Sequence, residues 1–358
     1  AINFDYNNQE FDIHSSKIIL GNSDFSLKGK IQNIGEWLDN TGLLEGELDF
    51  VSDNTDFNEI IDLTSGLGQS PDAENSTESI MSTEVENAED DPFIVPRGVD
   101  LVLNTQINNA VLGEQTMRNL GGRLHIKDGV LVLEEMGFIS RAAKMQLTGI
   151  YRTPRRNHLY LGLDFHMTNI QIEELIKMVP EIDTILPMIT SFKGKAEFHF
   201  AVETYMKSNY DFKMSTLRGA ASVAGQDLVL LDGETFSEIA KKLMFKKKTE
   251  NLVDSISAEM TIFRNEVDIY PFCLQIDKYK AALGGRHNLD MTFDYHISLL
   301  KPLRIGLNVV GNIDDFKFKL AKCKYAQDFQ PARRNVVETQ NMQLREVITF
   351  KGLYGGLS

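Results

Sequence analysis

Only two cysteines occur in 358 residues, Cys273 and Cys323, and neither has a partner at metal-ligand spacing. Neither a disulfide framework nor a zinc site is indicated, and the redox compartment stays open. No apolar run approaches the roughly 18 residues that a membrane span needs. The chain opens on Ala1 without a start methionine or a charged signal region, so a mature or truncated piece is expected. Nucleotide loops of the G-x-x-x-x-G-K-S/T or G-x-G-x-x-G type are missing, as is a G-x-S-x-G nucleophile elbow. Basic residues are scarce in one place above all. Between Gly66 and Pro96 there is no Lys or Arg, while Asp72, Glu74, Glu78, Glu84, Glu86, Glu89, Asp90 and Asp91 supply more than half of the net charge of −14. Such a chain repels a phosphate backbone, and no nucleic-acid partner is expected.

What is present is a chain able to fold, with 42% apolar and 25% charged residues. The acidic stretch 66–96, rich in Ser, Thr and Asn, holds too little apolar surface to offset its ordering entropy and reads as a disordered loop. An acidic site for a basic partner or cation is the sharper reading of it, and a solvated charge run the plainer one. On either side, short runs alternate apolar and polar residues with period two, the pattern of half-buried strands. Residues 1–65 give Phe11 and Ile13, Ile18 to Leu20, Phe25 and Leu27, and Leu44, Leu48 and Phe50, with a hairpin tip near Asn33 to Gly42 and a helical turn over Asp56 to Leu63.

From residue 97 the strands are more regular. Leu159, Leu161, Leu163, Phe165 and Met167 share one face; Ala196, Phe198, Phe200 and Val202 another; then come Ile256 to Ile262, Leu289 to Ile297, Leu303 to Val309 and Phe316 to Leu320. Asp128-Gly129, Asp232-Gly233 and Arg264-Asn265 mark reversals. Two helices interrupt the strands. One starts at Thr168 to Gln171, carries Ile172, Leu175, Ile176 and Val179, and is broken by Pro180 and Pro187. The other spans Thr235 to Lys248 and ends in Lys246, Lys247 and Lys248. Residues 326–358 form a tail, helical over Arg333 to Phe350. The organisation is thus a partial β unit (1–65), the acidic loop (66–96), a main β domain (97–325) and the tail.

Repeats underlie the strands. LDFVSDNTDFNEI (Leu48 to Ile60) matches LDFHMTNIQIEEL (Leu163 to Leu175) without a gap, sharing Leu48/Leu163, Phe50/Phe165 and Glu59/Glu174. Phe25, Leu27 and Gly29 correspond to Met145, Leu147 and Gly149, and Leu289 to Ile297 is a partial third copy of Leu159 to Met167. A duplicated β unit with variable loops follows.

About a dozen antiparallel strands at roughly 4.8 Å spacing make a sheet on the order of 55 to 60 Å wide. Two helices on the order of 20 Å long cannot cover its apolar face. Each large apolar side chain is worth roughly 1.5 to 3 kcal/mol when buried, so a second sheet, closure of the sheet, or a nonpolar ligand must take up the rest. A sandwich and an apolar groove both satisfy this. On the polar face, Asp164 and His166, their counterparts Asp294 and His296, and His158 and His199 are the residues capable of holding a metal, though such side chains ordinarily sit there in water. The Lys241 to Lys248 cluster suits anionic head groups or, more plainly, a solvated helix end. No active site is evident, so no cofactor and no enzyme activity are expected.

The succession LTGIYRTPRRNHLYLGLDFHMTNIQIEELIKMVPEI, SFKGKAEFHFAVE, LRGAASVAGQDLVLLDGETFSEIAKKL and ISAEMTIFRNEVDI resembles the C-terminal region of AsmA-like proteins. In that family a strand ending in a short I-x-I-x-x-L helix, a Gly-rich strand and a D-G turn recur in this order. The resemblance covers Gly98 to Lys324 and, more weakly, residues 1–65. It implies a mainly β chain of repeated antiparallel hairpin units curled into an elongated groove, and a periplasmic fragment of an inner-membrane-anchored envelope protein. It also implies noncatalytic phospholipid transport between inner and outer membranes, or outer-membrane assembly. A periplasmic structural or interaction module with a closed sandwich is the alternative. The expected partners are phospholipid or another envelope lipid, and membrane or envelope proteins. The groove candidates are Leu161, Leu163, Phe165, Phe198, Phe200, Met260, Met291 and Phe293.

Overall fold

A computed structural model describes residues 2–7, 10–64, 92–178, 192–230, 251–276, 279–290, 292–301, 303–312, 315–325 and 343–346. The first strands are β1 (Ile2–Asn7), β2 (Glu10–Ser16), β3 (Ile18–Leu20), β4 (Ser23–Gln32) and β5 (Leu44–Asp56), with helix α1 (Ile34–Leu38) between the last two and α2 (Phe57–Thr64) after them. Next come β6 (Val99–Leu112), β7 (Gln115–Lys127), β8 (Val130–Ile139), β9 (Lys144–Arg155) and β10 (His158–Gln171), which runs into α3 (Ile172–Met178). The remainder comprises β11 (Phe192–Met206), β12 (Arg218–Leu230), β13 (Asn251–Phe263) and β14 (Glu266–Ile276), followed by β15 (Tyr279–Asn288), β16 (Phe293–Lys301), β17 (Ile305–Gly311) and β18 (Phe316–Ala321).

The strands lie side by side in chain order. β1 pairs with β2, and β2 and β3 in turn pair with β4. From β4 onward each strand pairs with the next. Every ladder is antiparallel except β5–β6, which is parallel from Leu44↔Val99 to Asp56↔Val111. A two-residue hairpin cannot make that connection; it needs a crossover, and residues 57–98 supply one. Among the described residues eighteen strands form the sheet, against the dozen expected, so its width is on the order of 75 Å. It is not closed into a barrel.

Turn chemistry explains the reversals. Asp128 and Gly129 both have positive φ, 41° and 82°, as a tight hairpin between β7 and β8 requires, and Arg264 (φ 59°) serves between β13 and β14. Register slips at Leu133/Met136, Met167/Ile170 and Ile269/Phe272 are bulges, which bend the strands and curl the sheet. The bulge in β10, with Asn169 at φ 55°, carries that strand on to Gln171, so α3 begins four residues after the capping pattern at Thr168. Likewise β16 begins at Phe293 and not at Leu289, because Asn288 to Thr292 close a turn (Asn288 N–H to Thr292 O, 2.7 Å) tied by Asp290. The expected hairpin tip at Asn33 to Gly42 contains α1.

The repeat is visible in the register. Leu27 faces Phe50 and Gly29 faces Leu48 across β4–β5; Leu147 faces Phe165 and Gly149 faces Leu163 across β9–β10. Each copy ends in a helix at the same rim of the sheet, α2 after β5 and α3 after β10. Leu175 of α3 is 1% exposed and packs with Met145, Met167, Ile170 and Phe198. Phe57 of α2 packs with Ile107, Ala110, Met117 and Leu120.

At the opposite rim, the last residues of the expected disordered loop, Pro92 to Pro96, are instead tied down by contacts with the strands. The strap Pro92–Gly98 runs across the strand ends. Val95, 1% exposed, donates its N–H to Thr153 Oγ1, Tyr151 Oη donates to Phe93 O, and Gly129 N–H donates to Pro96 O. The remainder of that loop, Pro180 to Pro187, Asp232-Gly233, the helix expected at Thr235 to Lys248 and most of Arg333 to Phe350 lie outside the described residues.

Candidate functional site: an apolar sheet face

Because side chains alternate across a sheet, the pairings assign every strand's residues to a face. On one face, cross-strand neighbours run Leu48–Leu103–Leu124–Leu133 and, through Gly149, on to Leu163–Val202. A second row runs Leu147–Phe165–Phe200–Ala221–Met260–Ile269. Farther on, Leu283–Ile297–Leu307–Leu320 and Tyr295–Val309–Phe318 continue it. The face is apolar from β4 to β18.

Seven of the eight residues expected to line a groove lie on it; Met291 is outside the described residues. Leu161, Leu163, Phe165, Phe198, Phe200 and Met260 are neighbours, with Phe165 and Phe200 meeting edge to face at 5.6 Å and Phe198 and Phe200 at 5.4 Å. Phe293 stands apart, stacked on Tyr295 at 5.4 Å in a separate cluster with Ile297, Leu307 and Val309. Burial divides the row. Phe198 and Met260 are buried near α3, whereas Leu161, Leu163, Phe165, Phe200 and Val202 are only half-buried, as are Leu101, Leu103, Leu124, Ile126, Leu131 and Leu133. Among the described residues the strap lies at one rim of this face and α2, α3 and the buried turn residues Ala142 and Ala143 at the other, and the segment 343–346 approaches β8, with Leu344 9% exposed and Arg345 3.5 Å from Glu135 Oε1.

The opposite face is mostly polar, interrupted by a buried cluster of Val130, Val132, Ile150 and Tyr160, and holds the Asp and His candidates. Asp164 and His166 face Ala201 and His199 across β10–β11. His199 Nε2 lies 3.3 Å from both Asp164 oxygens, His166 Nε2 lies 2.7 Å from Glu197 Oε1, and the two rings are 5.3 Å apart. Each imidazole is therefore taken by a carboxylate of the adjacent strand, and the described residues hold no group of three or more side chains placed to bind a metal. His158 is elsewhere, stacked on Tyr205 at 4.1 Å. His296 is buried and ties strands together: its Nδ1 meets Asn308 Oδ1 at 2.6 Å, and its Nε2 accepts the Lys324 N–H at 3.1 Å. The Lys324 N–H fixes the tautomer, with the proton on Nδ1. Asp294 and His296 border a polar cleft of about 680 Å³ together with Tyr270, Arg286, Lys322 and Tyr325.

Two features of this face have no signature in the alternating pattern. Tyr160 Oη donates to Glu203 Oε2 (2.5 Å) while Arg218 pairs with Glu203 Oε1, burying a carboxylate on the polar side. Burial, followed by that carboxylate, pushes the Tyr160 hydroxyl well above its ordinary pKa. The thiol of Cys273 is likewise pushed up by burial, which makes it a poor nucleophile.

No helix among the described residues is long and apolar enough to cross a membrane. No family model matches this chain, and neither a curated protein nor a solved structure matches it.

Proposed function

We propose that the chain is a noncatalytic, AsmA-like envelope protein that holds phospholipid acyl chains against the apolar sheet face, in lipid transport between membranes or in outer-membrane assembly. One observation carries this reading: the row from Leu101 and Leu124 through Leu133, Leu161 and Leu163 to Val202 is continuous, and its residues stay only half-buried among the described residues. Large apolar surface left open on a folded protein marks a ligand or partner. A linear hydrocarbon fits a long, unbroken row better than a compact ligand does, and each buried CH₂ is worth about 0.8 kcal/mol. Head groups would stay in water along the rim. A periplasmic location and contacts with envelope proteins belong to the same proposal.

Mass spectrometry of gently purified protein tests it. Bound phospholipid is expected, and the double variant Leu163→Asp/Phe200→Asp, checked for folding by circular dichroism, should retain at least tenfold less. Protein free of lipid, with the variant indistinguishable from wild type, would instead support a structural or interaction module.

A further inference from the structure

The two rims of the sheet differ. Trp37, Leu38, Phe93, Tyr210, Phe212 and Phe263 are exposed large apolar side chains at the rim that carries the strap, most of them aromatic, whereas those toward the rim that carries α2 and α3, Ile2, Ile19, Leu112, Leu303 and Leu320, are all aliphatic. Part of the first set forms one surface. The Phe93 N–H donates to Tyr210 Oη at 2.8 Å, and the Phe93 ring stacks on Tyr151 at 6.4 Å. Phe212 is bridged to Met206, the Lys213 N–H donates to Tyr205 O, and the Arg264 N–H donates to Leu217 O. The strap, the β9–β10 turn, the β11–β12 loop and the β13–β14 turn are thereby held together. Their charge runs against that of the molecule. Arg97, Arg155, Arg156, Lys207, Lys213 and Arg264 outnumber Asp128, Asp211 and Glu266 in these turns and at the strand ends beside them, in a chain whose net charge is −14. Arg264 lies over the Phe263 ring at 5.1 Å.

Exposed aromatic rings interleaved with basic side chains match the chemistry of a bilayer interface, where rings sit at head-group level and cations pair with anionic lipid. A protein-binding patch on so acidic a chain would have no need of this local reversal of charge. We infer that the strap-side rim from Phe93 to Arg264 docks on an anionic phospholipid surface. Such docking does not require the groove to carry lipid.

Flotation with phosphatidylcholine vesicles, with and without phosphatidylglycerol, tests it on the intact chain. Binding is expected to the anionic vesicles only, and to weaken as salt rises. Each basic side chain at the surface contributes about fivefold, so Arg155→Glu/Lys207→Glu should bind at least tenfold more weakly. Phe212→Ser/Phe263→Ser should lose the salt-resistant part of binding. All four positions are exposed, Arg155 and Phe263 at strand ends and Lys207 and Phe212 in the β11–β12 loop, and thermal melting checks that the variants fold. The groove variant Leu163→Asp/Phe200→Asp should bind vesicles as wild type does, which separates failure here from failure of the groove. No binding to anionic vesicles, equal binding to both vesicle types, or rim variants that bind unchanged would overturn the proposal and return the rim to a protein partner.

Discussion

Glu203 sits with its side chain 7% exposed on the polar face, held by Tyr160 Oη and the Arg218 guanidinium. A buried ion pair adds little net stability, yet removing one partner strands the other. Arg218 is about half exposed and recovers some solvation. Glu203→Ala is therefore expected to cost about 2 to 4 kcal/mol, read from the urea midpoint; a loss below about 1 kcal/mol would mean the network is not formed. His158 supplies a pH dependence. Burial, then Lys213 and Arg155, hold its pKa below the usual histidine value, and Lys213 Nζ donates to Nδ1 at 3.2 Å. The folded chain thus binds fewer protons than the unfolded chain in this window. Its contribution is complete above about pH 6.5 and is lost as pH falls through the lower folded value. The Tm of wild type should fall between pH 7 and pH 5, and His158→Gln should flatten part of that slope; an unaltered slope would exclude the residue as a source.

At the scale of elements, α3 is small, seven residues long, but Leu175 is almost wholly enclosed by Met167, Ile170 and Phe198. Leu175→Ala is expected to cost about 3 kcal/mol, with loss of hydrogen-exchange protection concentrated in α3 and the adjoining ends of β10 and β11. A loss below about 1 kcal/mol would make α3 a loosely attached lid. The strands are legible in the sequence because one-sided burial imposes period two, and the paired residues Leu27–Phe50 and Leu147–Phe165 show that the repeat detected in sequence is also a repeat of register. Helix starts are less so: capping residues at Thr168 signal a helix, but the bulge at Asn169 extends the strand first. The strap escapes sequence reasoning because Phe93, Ile94 and Val95 end a strongly acidic stretch, and only tertiary contact with Thr153 and Tyr151 reveals why they are apolar. The residues of the apolar face can be named from alternation alone. Which of them stay half-buried cannot, since that depends on where α3 and the strap lie.

Across the whole molecule, strand order follows chain order, so stability is built mostly from nearest-neighbour ladders, as in other repeat architectures. One face gathers the apolar rows, the other holds paired charges, and the two rims differ in what they expose. The parallel step between β5 and β6 keeps this arrangement consistent from copy to copy. Every hairpin reverses the chain, and from β5 to β10 there are four hairpins plus the one parallel step, so both strands run the same way. From β10 to β16 there are six reversals, again an even number. Parity is therefore the rule for growth: a gene encoding this sheet can gain or lose strands in pairs, each pair changing the length by roughly 10 Å, without exchanging the two rims. An odd insertion would need a second parallel step to restore the count.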